Sequence, residues 1–261
     1  MSDLIFYSMA TGSSGNSYYF GDSECGFLVD VGIPFRTIRK RMEQIGVPMT
    51  RIKAVLVTHD HFDHVRSVGF FSEKQHIPIY ATEASHMGIN TNYGITEKVS
   101  PWNQRILTRG VPLEIGQFSI TPFSIPHDSK DNNGFFIKHG DVRFTLATDI
   151  GCITDDLRNY ISISDYLVIE ANHDEEMLKT GPYAPQLKVR IMGGGGHLNN
   201  QQAADVVAQY ASPFLKKVFL CHLSKTNNSP EIALSTVQKA IKTNTEVIVL
   251  KRSEGMLFNL R

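Results

Sequence analysis

The chain has 261 residues, 26 basic and 26 acidic side chains, and a hydrophobic fraction of 41%. This composition is ordinary for a globular protein, and no stretch approaches the roughly 18 apolar residues that a membrane span needs. A net charge of zero removes any bulk electrostatic argument for nucleic-acid binding, because non-specific affinity for phosphate backbones depends on lysine and arginine. A local basic surface is still compatible with a net charge of zero.

Three widely spaced cysteines, Cys25, Cys152 and Cys221, form no CxxC pair. An odd and scattered set favours free thiols in a reducing compartment over a disulfide framework or a thiolate zinc site. The segment Met1–Leu4 has no basic region ahead of an apolar core, so a secretory signal is not expected. These features together predict a cytoplasmic protein with no membrane partner.

Short β-like runs separated by turn residues dominate the first half of the chain. Strands are predicted at Leu4–Met9, Ser17–Phe20, Gly26–Val29, Ile52–Val57 and Ile77–Ala81. Helical spacing predicts a helix over Phe35–Ile45 and another from Asp63 to Lys74, which begins inside a histidine-rich segment. The polar stretch Thr82–Arg109 shows no pattern beyond one short helix.

Strands and helices both follow in the second half. Strands are predicted at Gln117–Ile125, Gly134–Lys138, Val142–Ala147, Tyr166–Glu170, Lys217–Cys221, Glu246–Leu250 and Met256–Asn259. Helices are predicted at Gln201–Tyr210 and Pro230–Ile241, and His139–Asp141 is predicted to be a hairpin turn. No repeat or linker divides the chain, so a single domain over residues 1–261 is the economical interpretation. The order of elements favours an α/β fold with two face-to-face sheets and helices outside them.

The segment 59–64 reads HDHFDH and contains side chains that bind metals. Imidazole and carboxylate ligands suit zinc and, with more oxygen donors, manganese or iron. His59 and His61 can share one side of an extended strand end, whereas Asp63 and His64 follow the turn into a helix and must point elsewhere. The spacing therefore favours two neighbouring metals over one. A solvated polar turn is the alternative, although chance would produce this pattern in roughly one of a thousand such sequences.

Further candidate ligands stand where predicted strands end. His127, Asp149 and His222 are each the first strongly coordinating residue after an apolar run. A strand fixes a side chain in position while its end opens to solvent, as a catalytic metal requires. Taken singly, a lone histidine is more often a hydrogen-bonded structural residue than a ligand. The histidines outside this pattern are expected to be surface or packing residues: His76, His86 and His139.

With these residues the chain resembles the metallo-β-lactamase superfamily along nearly its whole length. The resemblance is carried by Leu28–Gly32 with Asp30, by the HxHxDH run, and by His127, Asp149 and His222 in the expected order. It implies a four-layer αββα sandwich and a pair of divalent ions, zinc or manganese, that share a hydroxide. The implied ligands are His59, His61 and His127 for one metal, Asp63, His64 and His222 for the other, and Asp149 for both.

Several further segments resemble the YycJ-type (also called WalJ-type) branch of that superfamily, which is related to tRNase Z. They are Thr11–Ser17, Glu170–Asp174, Gly196–Leu198, His222–Ser224 and Asn227-Asn228. The branch implies that Glu170 and His197 lie beside the metals and assist proton transfer. It also implies an exonuclease-like activity on DNA. His173 has no implied metal role, and support of the site and contact with substrate are equal alternatives for it.

Two glycine-rich segments leave their interpretation open. Gly193–Gly196 and Asn199 depart from the branch pattern around His197. Four glycines would allow backbone to approach a substrate phosphate, but a mobile turn ahead of the next helix is an equal alternative. Gly12–Asn16 could be an anion-binding nest or simply a tight turn close to the site.

The leading hypothesis is a dinuclear metal-dependent phosphodiesterase acting on nucleic acid, with DNA favoured, in which a metal-bridging hydroxide attacks phosphorus. His197 would supply a proton, while Asp30 and Glu170 would orient ligands or His197. The alternative is a small-molecule hydrolase of a cyclic phosphodiester, lactone or thioester at the same site. A silent metal-binding module is disfavoured because every expected ligand position is filled. A groove formed by the following basic residues would favour a polymer: Arg66, Lys130, Lys188, Arg190 or Lys225.

Overall fold

The computed structural model describes residues 4–260. The first three residues, on which the expectation of no secretory signal partly rests, and residue 261 lie outside the described residues. Contacts between Cα atoms divide the chain into two compact units. The first unit runs to Pro122 and includes Ser129–Asn132 and the segment from Lys251; the second comprises Phe123–Asp128 and Asn133–Leu250. The single-domain interpretation stays a prediction.

A seven-stranded mixed sheet lies in the first unit. Its strands are β1 (Leu4–Ala10), β2 (Ser17–Gly21), β3 (Gly26–Val29), β4 (Ile52–Leu56), β5 (Ile79–Ala81), β6 (Gln104–Ile106) and β14 (Met256–Leu260), in the spatial order β14-β1-β2-β3-β4-β5-β6. Strands β3 and β4 run parallel with Val29 opposite Leu56. Because parallel strands end at the same edge of a sheet, the residues that follow β3 and β4 emerge side by side.

The first unit also contains helices that cover this sheet. They are α1 (Phe35–Gln44), α2 (Phe62–Val65), α3 (Val68–Gln75) and α4 (Glu83–Thr91), with 3-10 turns at Met49–Arg51 and Pro101–Asn103. The helix predicted from Asp63 to Lys74 is thus two helices. Ser67 stands at the break, where its N–H and hydroxyl donate hydrogen bonds to the carbonyls of Val31 and Ile33. These bonds tie the break to the chain that follows β3.

A second seven-stranded sheet continues the fold. Its strands are β7 (Leu113–Ile115), β8 (Phe118–Ser124), β9 (Asn133–His139), β10 (Val142–Ala147), β11 (Tyr166–Glu170), β12 (Lys217–Cys221) and β13 (Glu246–Val249), in the spatial order β13-β12-β11-β10-β9-β8-β7. From β10 to β13 all neighbours are parallel, so the carboxyl ends of β10, β11 and β12 share one edge. Gly140, with a φ of +55°, forms the predicted hairpin turn between β9 and β10.

The second unit contains the helices α5 (Asp155–Ile163), α6 (Glu175–Thr180), α7 (Pro185–Met192), α8 (Asn200–Tyr210) and α9 (Pro230–Ala240). Helices α5, α8 and α9 bury apolar residues in a core that includes Leu167 and Val218. Helix α8 places Ala204 and Val207 in that core, as its spacing predicts. Within residues 4–260, no helix is both long and apolar enough to cross a membrane.

Candidate metal centre

In the first unit, the ends of β3 and β4 bring Asp30 against Thr58. The buried Asp30 carboxylate accepts hydrogen bonds from the Thr58 amide at 2.9 Å and from the Thr58 hydroxyl at 2.8 Å. Asp30 has a φ of +59°, in the left-handed region that aspartate tolerates better than most residues. Burial raises the pKa of Asp30, although His64 and the bonds from Thr58 oppose that rise. A sharp turn at the strand end therefore holds this carboxylate between the two strand ends.

Asp30 and Thr58 orient two histidines of the HDHFDH run. The Nδ1 atom of His64 lies 2.7 Å from Asp30 Oδ2, and the Nδ1 atom of His59 lies 3.0 Å from Thr58 Oγ1. Asn16 Nδ2 lies 2.9 Å from His64 Nε2, so the geometry indicates that the proton of this ring is on Nδ1. This tautomer leaves Nε2 unprotonated, so a metal that displaced the Asn16 contact could bind there, and an oxygen partner on the other nitrogen is the usual support of a ligating histidine.

All four predicted ligands of the run lie together in the first unit. The ring centroid of His59 is 4.6 Å from that of His61 and 4.0 Å from that of His64. Asp63 Oδ2 lies 3.6 Å from His64 Nε2. Three imidazoles and a carboxylate thus converge at the start of α2, as the pattern HxHxDH predicts.

Two local features fix the position of the HDHFDH run. A Cβ atom on Gly32 would overlap the carbonyl oxygen of Asp63 and lie 2.8 Å from His64 N. Position 32 must therefore be glycine for the chain after β3 to pass this close to α2. The backbone N–H of Asn16 donates to the Asp63 carbonyl at 2.8 Å, and the side-chain oxygen Oδ1 of Asn16 accepts from the backbone N–H of Gly12 at 2.8 Å. The segment Gly12–Asn16 is therefore a tight turn that supports the run.

In the second unit, three parallel strand ends bring Asp149, Glu170 and His222 together. His222 Nε2 lies 3.4 Å from Asp149 Oδ1, and His222 Nδ1 lies 3.1 Å from Glu170 Oε1. Asp149 and His222 have φ values of +55° and +54°. Such left-handed turns cost on the order of 1 kcal/mol each and are concentrated at functional sites. Asn172, whose side chain donates to the His222 carbonyl at 2.9 Å, helps to hold this turn.

Glu170 also holds His197. Oε1 of this wholly buried carboxylate accepts from His197 Nδ1 at 2.7 Å, while Oε2 accepts from the amides of Ile150 and Leu198. Burial alone would raise the pKa of Glu170, but His197 and His222 outweigh it and the pKa is lowered. Burial would lower the pKa of His197, but the adjacent Glu170 carboxylate outweighs it and the pKa is raised. The pair therefore favours an ionised glutamate beside a protonated histidine.

His127 follows β8, and the glycine run positions it. Its Nδ1 atom lies 3.0 Å from the Gly196 carbonyl oxygen, and its Nε2 atom lies 3.8 Å from Asp149 Oδ1. Burial lowers the pKa of His127 despite the opposing charge of Asp149, which favours the neutral ring that a metal ligand requires. A Cβ atom on Gly196 would overlap the carbonyl of Ile191 at the end of α7. At least this glycine of Gly193–Gly196 therefore serves close packing behind His127.

The remaining histidines have structural surroundings. His76 ends α3 with a φ of +52°, His86 is buried with Nε2 3.1 Å from the Arg105 carbonyl, and His139 is buried in β9. His173 is only 1% exposed, and its Nδ1 atom has no hydrogen-bond partner among residues 4–260. Sequence reasoning flagged its segment but could not place the side chain.

The donor sets of both units fit divalent metal ions. An oxygen atom stands next to Nδ1 in five of these histidines, so Nε2 is the atom offered for coordination: His59, His64, His127, His197 and His222. Carboxylates accompany them, and one possible ligand atom from each of four residues of the second unit lies within 4.8 Å of the others: Asp149, Glu170, His197 and His222. Mixed imidazole and carboxylate donors suit zinc and manganese. Of the residues missed in the sequence, Asn16, Thr58 and Asn172, each lies inside or next to a motif that was recognised.

Comparison with known proteins extends over both units. Residues 27–223 match the model of a β-lactamase superfamily domain. Exodeoxyribonuclease WalJ of Streptococcus pneumoniae is 35% identical over 91% of this chain and 88% of its own length. Exodeoxyribonuclease YycJ of Bacillus anthracis is 30% identical over 92% of this chain and 89% of its own.

A solved structure supports the fold. The Zn²⁺-bound PqqB of Methylobacterium extorquens superposes with a TM-score of 0.76 at 17% identity, covering 98% of this chain and 100% of PqqB. The predicted metallo-β-lactamase fold is thereby confirmed. With a family model and relatives that agree over most of its length, this chain belongs to the metallo-β-lactamase superfamily.

Proposed function

We propose that this chain is a metal-dependent phosphodiesterase that degrades DNA from an end. The observation that carries the proposal is the identity of 35% to a protein named exodeoxyribonuclease, which extends over 91% of the chain and so includes both sets of candidate metal ligands. The histidine and carboxylate sets described above are the chemistry that such a reaction uses.

The proposal includes two divalent ions, zinc or manganese, held by seven side chains. His59, His61 and His127 would hold one ion, Asp63, His64 and His222 the other, and Asp149 would bridge them. When bound, such ions make a water molecule acidic enough to attack at neutral pH and neutralise charge on the phosphoryl group. The oxygen atoms beside Nδ1 of His59 and His64 and the neutral ring favoured at His127 support this assignment.

His197 would deliver the proton that the leaving oxygen needs. Its Nδ1 atom is held by Glu170, so Nε2 is the atom that faces a reacting group. Burial would lower the pKa of His197, but the Glu170 carboxylate outweighs it and raises the pKa, which favours the protonated ring. After transfer of the Nε2 proton, the ring becomes neutral and recovers its proton from water. Asp30 and Glu170 act through the rings that they orient, and a positioned acid of this kind contributes roughly 10²–10⁴-fold in rate.

The test is a hydrolysis assay with metal content measured on the same preparation. Purified protein with zinc or manganese is offered labelled single-stranded DNA, duplex DNA, RNA, bis-p-nitrophenyl phosphate and a panel of lactones. We expect DNA to be shortened progressively by the wild type and not by the Asp149→Ala or His61→Ala variants. Asp156→Ala, an exposed aspartate of α5, is the matched control and should retain activity.

Turnover of lactones alone would overturn the nuclease proposal and favour a small-molecule hydrolase, which the net charge of zero permits. Degradation that survives Asp149→Ala would indicate a contaminating nuclease. A cytoplasmic location is part of the proposal and is supported by the three cysteines, which form no disulfide.

A further inference from the structure

A cleft of about 440 Å³ opens in the first unit next to α2. Three arginines line it: Arg36 and Arg39 from α1, and Arg66 from the turn after α2. Phe35 and Phe70 also line it, with their ring centroids 4.1 Å apart. The cleft therefore combines apolar rings with guanidinium groups, and it adjoins the helix that carries two of the predicted metal ligands.

The charge of this cleft is largely uncompensated. Within residues 4–260, neither Arg36 nor Arg66 forms an ion pair, and Arg39 pairs only with the exposed Glu43 at 3.6 Å. Exposed pairs of this kind are weak and are readily exchanged for another anion. Glu97 alone is acidic among the described residues that line the cleft. A chain of zero net charge thus concentrates positive charge here, and the complementary ligand is an anion with several charges.

An exposed aromatic ring stands beside these cations. Phe62 lies within the HDHFDH run and is 43% exposed, and the guanidinium carbon of Arg66 is 5.7 Å from its ring centroid. The backbone at Gly94 packs on the other part of the ring, since a Cβ there would lie 3.4 Å from Phe62 Cδ2. Tyr93, which directly precedes Gly94 in the chain, has a fully exposed side chain. Exposed rings next to arginines are the combination with which proteins hold the bases and phosphates of single strands.

We infer that this cleft and Phe62 form a docking surface for single-stranded DNA, with phosphates on Arg36, Arg39 and Arg66 and a base stacked on Phe62. The inference rests on the proposed function, because it supplies the polymer that the metal site would cleave. A duplex keeps its bases stacked on one another, so it can use the arginines but not the ring. The surface therefore favours an unpaired end.

The test measures binding separately from cleavage. Fluorescence anisotropy of a labelled phosphorothioate oligothymidine, which resists hydrolysis, gives the Kd on the full chain over a range of salt concentrations. The triple variant Arg36→Ala/Arg39→Ala/Arg66→Ala should bind more weakly, and its slope of log K against log salt should be smaller by about 2, from roughly 0.7 per lost phosphate contact. Phe62→Leu should weaken binding roughly 5- to 100-fold with little change in that slope.

The matched control removes the same charge from exposed positions in the second unit: Lys138→Ala/Lys239→Ala/Lys242→Ala. Tyr93→Ala, at a fully exposed position, tests the aromatic contribution without risk to the fold, and we expect weaker binding of the strand. The inference is overturned if the arginine variant binds with the wild-type Kd and salt slope, or if the lysine variant loses as much. Failure of the wild type to shorten natural DNA would instead overturn the proposed function.

Discussion

Replacement of Asp30 by asparagine isolates the role of one buried charge. Asparagine has the same shape and tolerates the left-handed φ of +59°, so the backbone need not change. Its oxygen can still accept from the Thr58 amide, but its NH₂ group would face the donor Nδ1 of His64 across 2.7 Å. Loss of a hydrogen bond to a charged group in a buried place costs roughly 1.5–3 kcal/mol. We therefore expect the unfolding free energy to fall by about 2 kcal/mol.

The same variant should bind metal more weakly, because the support behind His64 is lost. Loss of such a partner typically costs 10- to 100-fold in metal affinity. Competition with a chromophoric chelator gives the affinity, and urea denaturation of the metal-free protein gives the stability. Asp22→Asn is the matched control: Asp22 is also buried and accepts from the Glu24 and Cys25 amides, away from the histidine run. Equal metal affinity of Asp30→Asn and the wild type would refute the reasoning.

Three further changes test other parts of the structure. Glu170→Gln removes the charge that orients His197 and favours its protonated form, so kcat for DNA hydrolysis should fall roughly 100-fold or more in steady-state assays with metal in excess, which compensates for any weaker binding at His222. Gly32→Ala places a methyl group against the Asp63 carbonyl and should lower the unfolding free energy, measured in urea, by roughly 1–3 kcal/mol. Burial lowers the pKa of His86 in the folded protein, so the unfolded chain binds the proton more readily. The contribution of neutral His86 to the unfolding free energy is therefore complete above about pH 6.5 and is lost as the pH falls through the lower pKa of the folded state. His86→Gln should flatten that acid-side loss in urea denaturation series at successive pH values.

Each of these changes has an outcome that would contradict its reason. An unchanged kcat in Glu170→Gln would remove the proton-delivery role, and loss of bound metal would reduce the residue to a structural support. Ordinary surface substitutions change the unfolding free energy by up to about 0.5 kcal/mol. A change no larger than that in Gly32→Ala would show that α2 can move aside. A wild-type slope of stability against pH in His86→Gln would mean that other groups carry the acid sensitivity.

The positions of the candidate ligands were predictable because these residues follow apolar runs. Ile52–Val57, Val142–Ala147 and Lys217–Cys221 are buried strands in the structure, to within a residue of their predicted bounds. Parallel pairing then brings the next residues to one edge in each unit. The pattern of apolar residues encodes this arrangement directly, so a short polar motif after each run was enough to locate both sets.

The supporting contacts were not predictable in the same way. Left-handed turns at Asp30, Asp149 and His222 have no local signature, since these residue types occur mostly in ordinary conformations. The contact between Asn16 and His64 joins residues 48 positions apart, and only the folded chain sets the direction of the amide. Side-chain orientation depends on packing, which a periodic pattern does not contain.

Short helices were missed for a related reason. Helix α7 buries none of its side chains, so Pro185–Met192 lacks the apolar stripe that periodicity detects. Helix α5 buries only Leu157 and Ile161, one turn apart, which is too little to distinguish it from a loop. The sequence of the glycine run before His197 permits either a contact with substrate or a mobile turn, whereas in the structure Gly196 packs against the end of α7.

The number of metal ions bound per chain tests the central claim most directly. Elemental analysis after dialysis against limiting zinc or manganese should give two ions per wild-type chain. Asp63→Ala, in the first unit, and His222→Ala, in the second, should each reduce that number to one and abolish DNA hydrolysis. Binding of no more than one ion by the wild type, or two ions retained in both variants, would contradict a dinuclear centre built from these side chains.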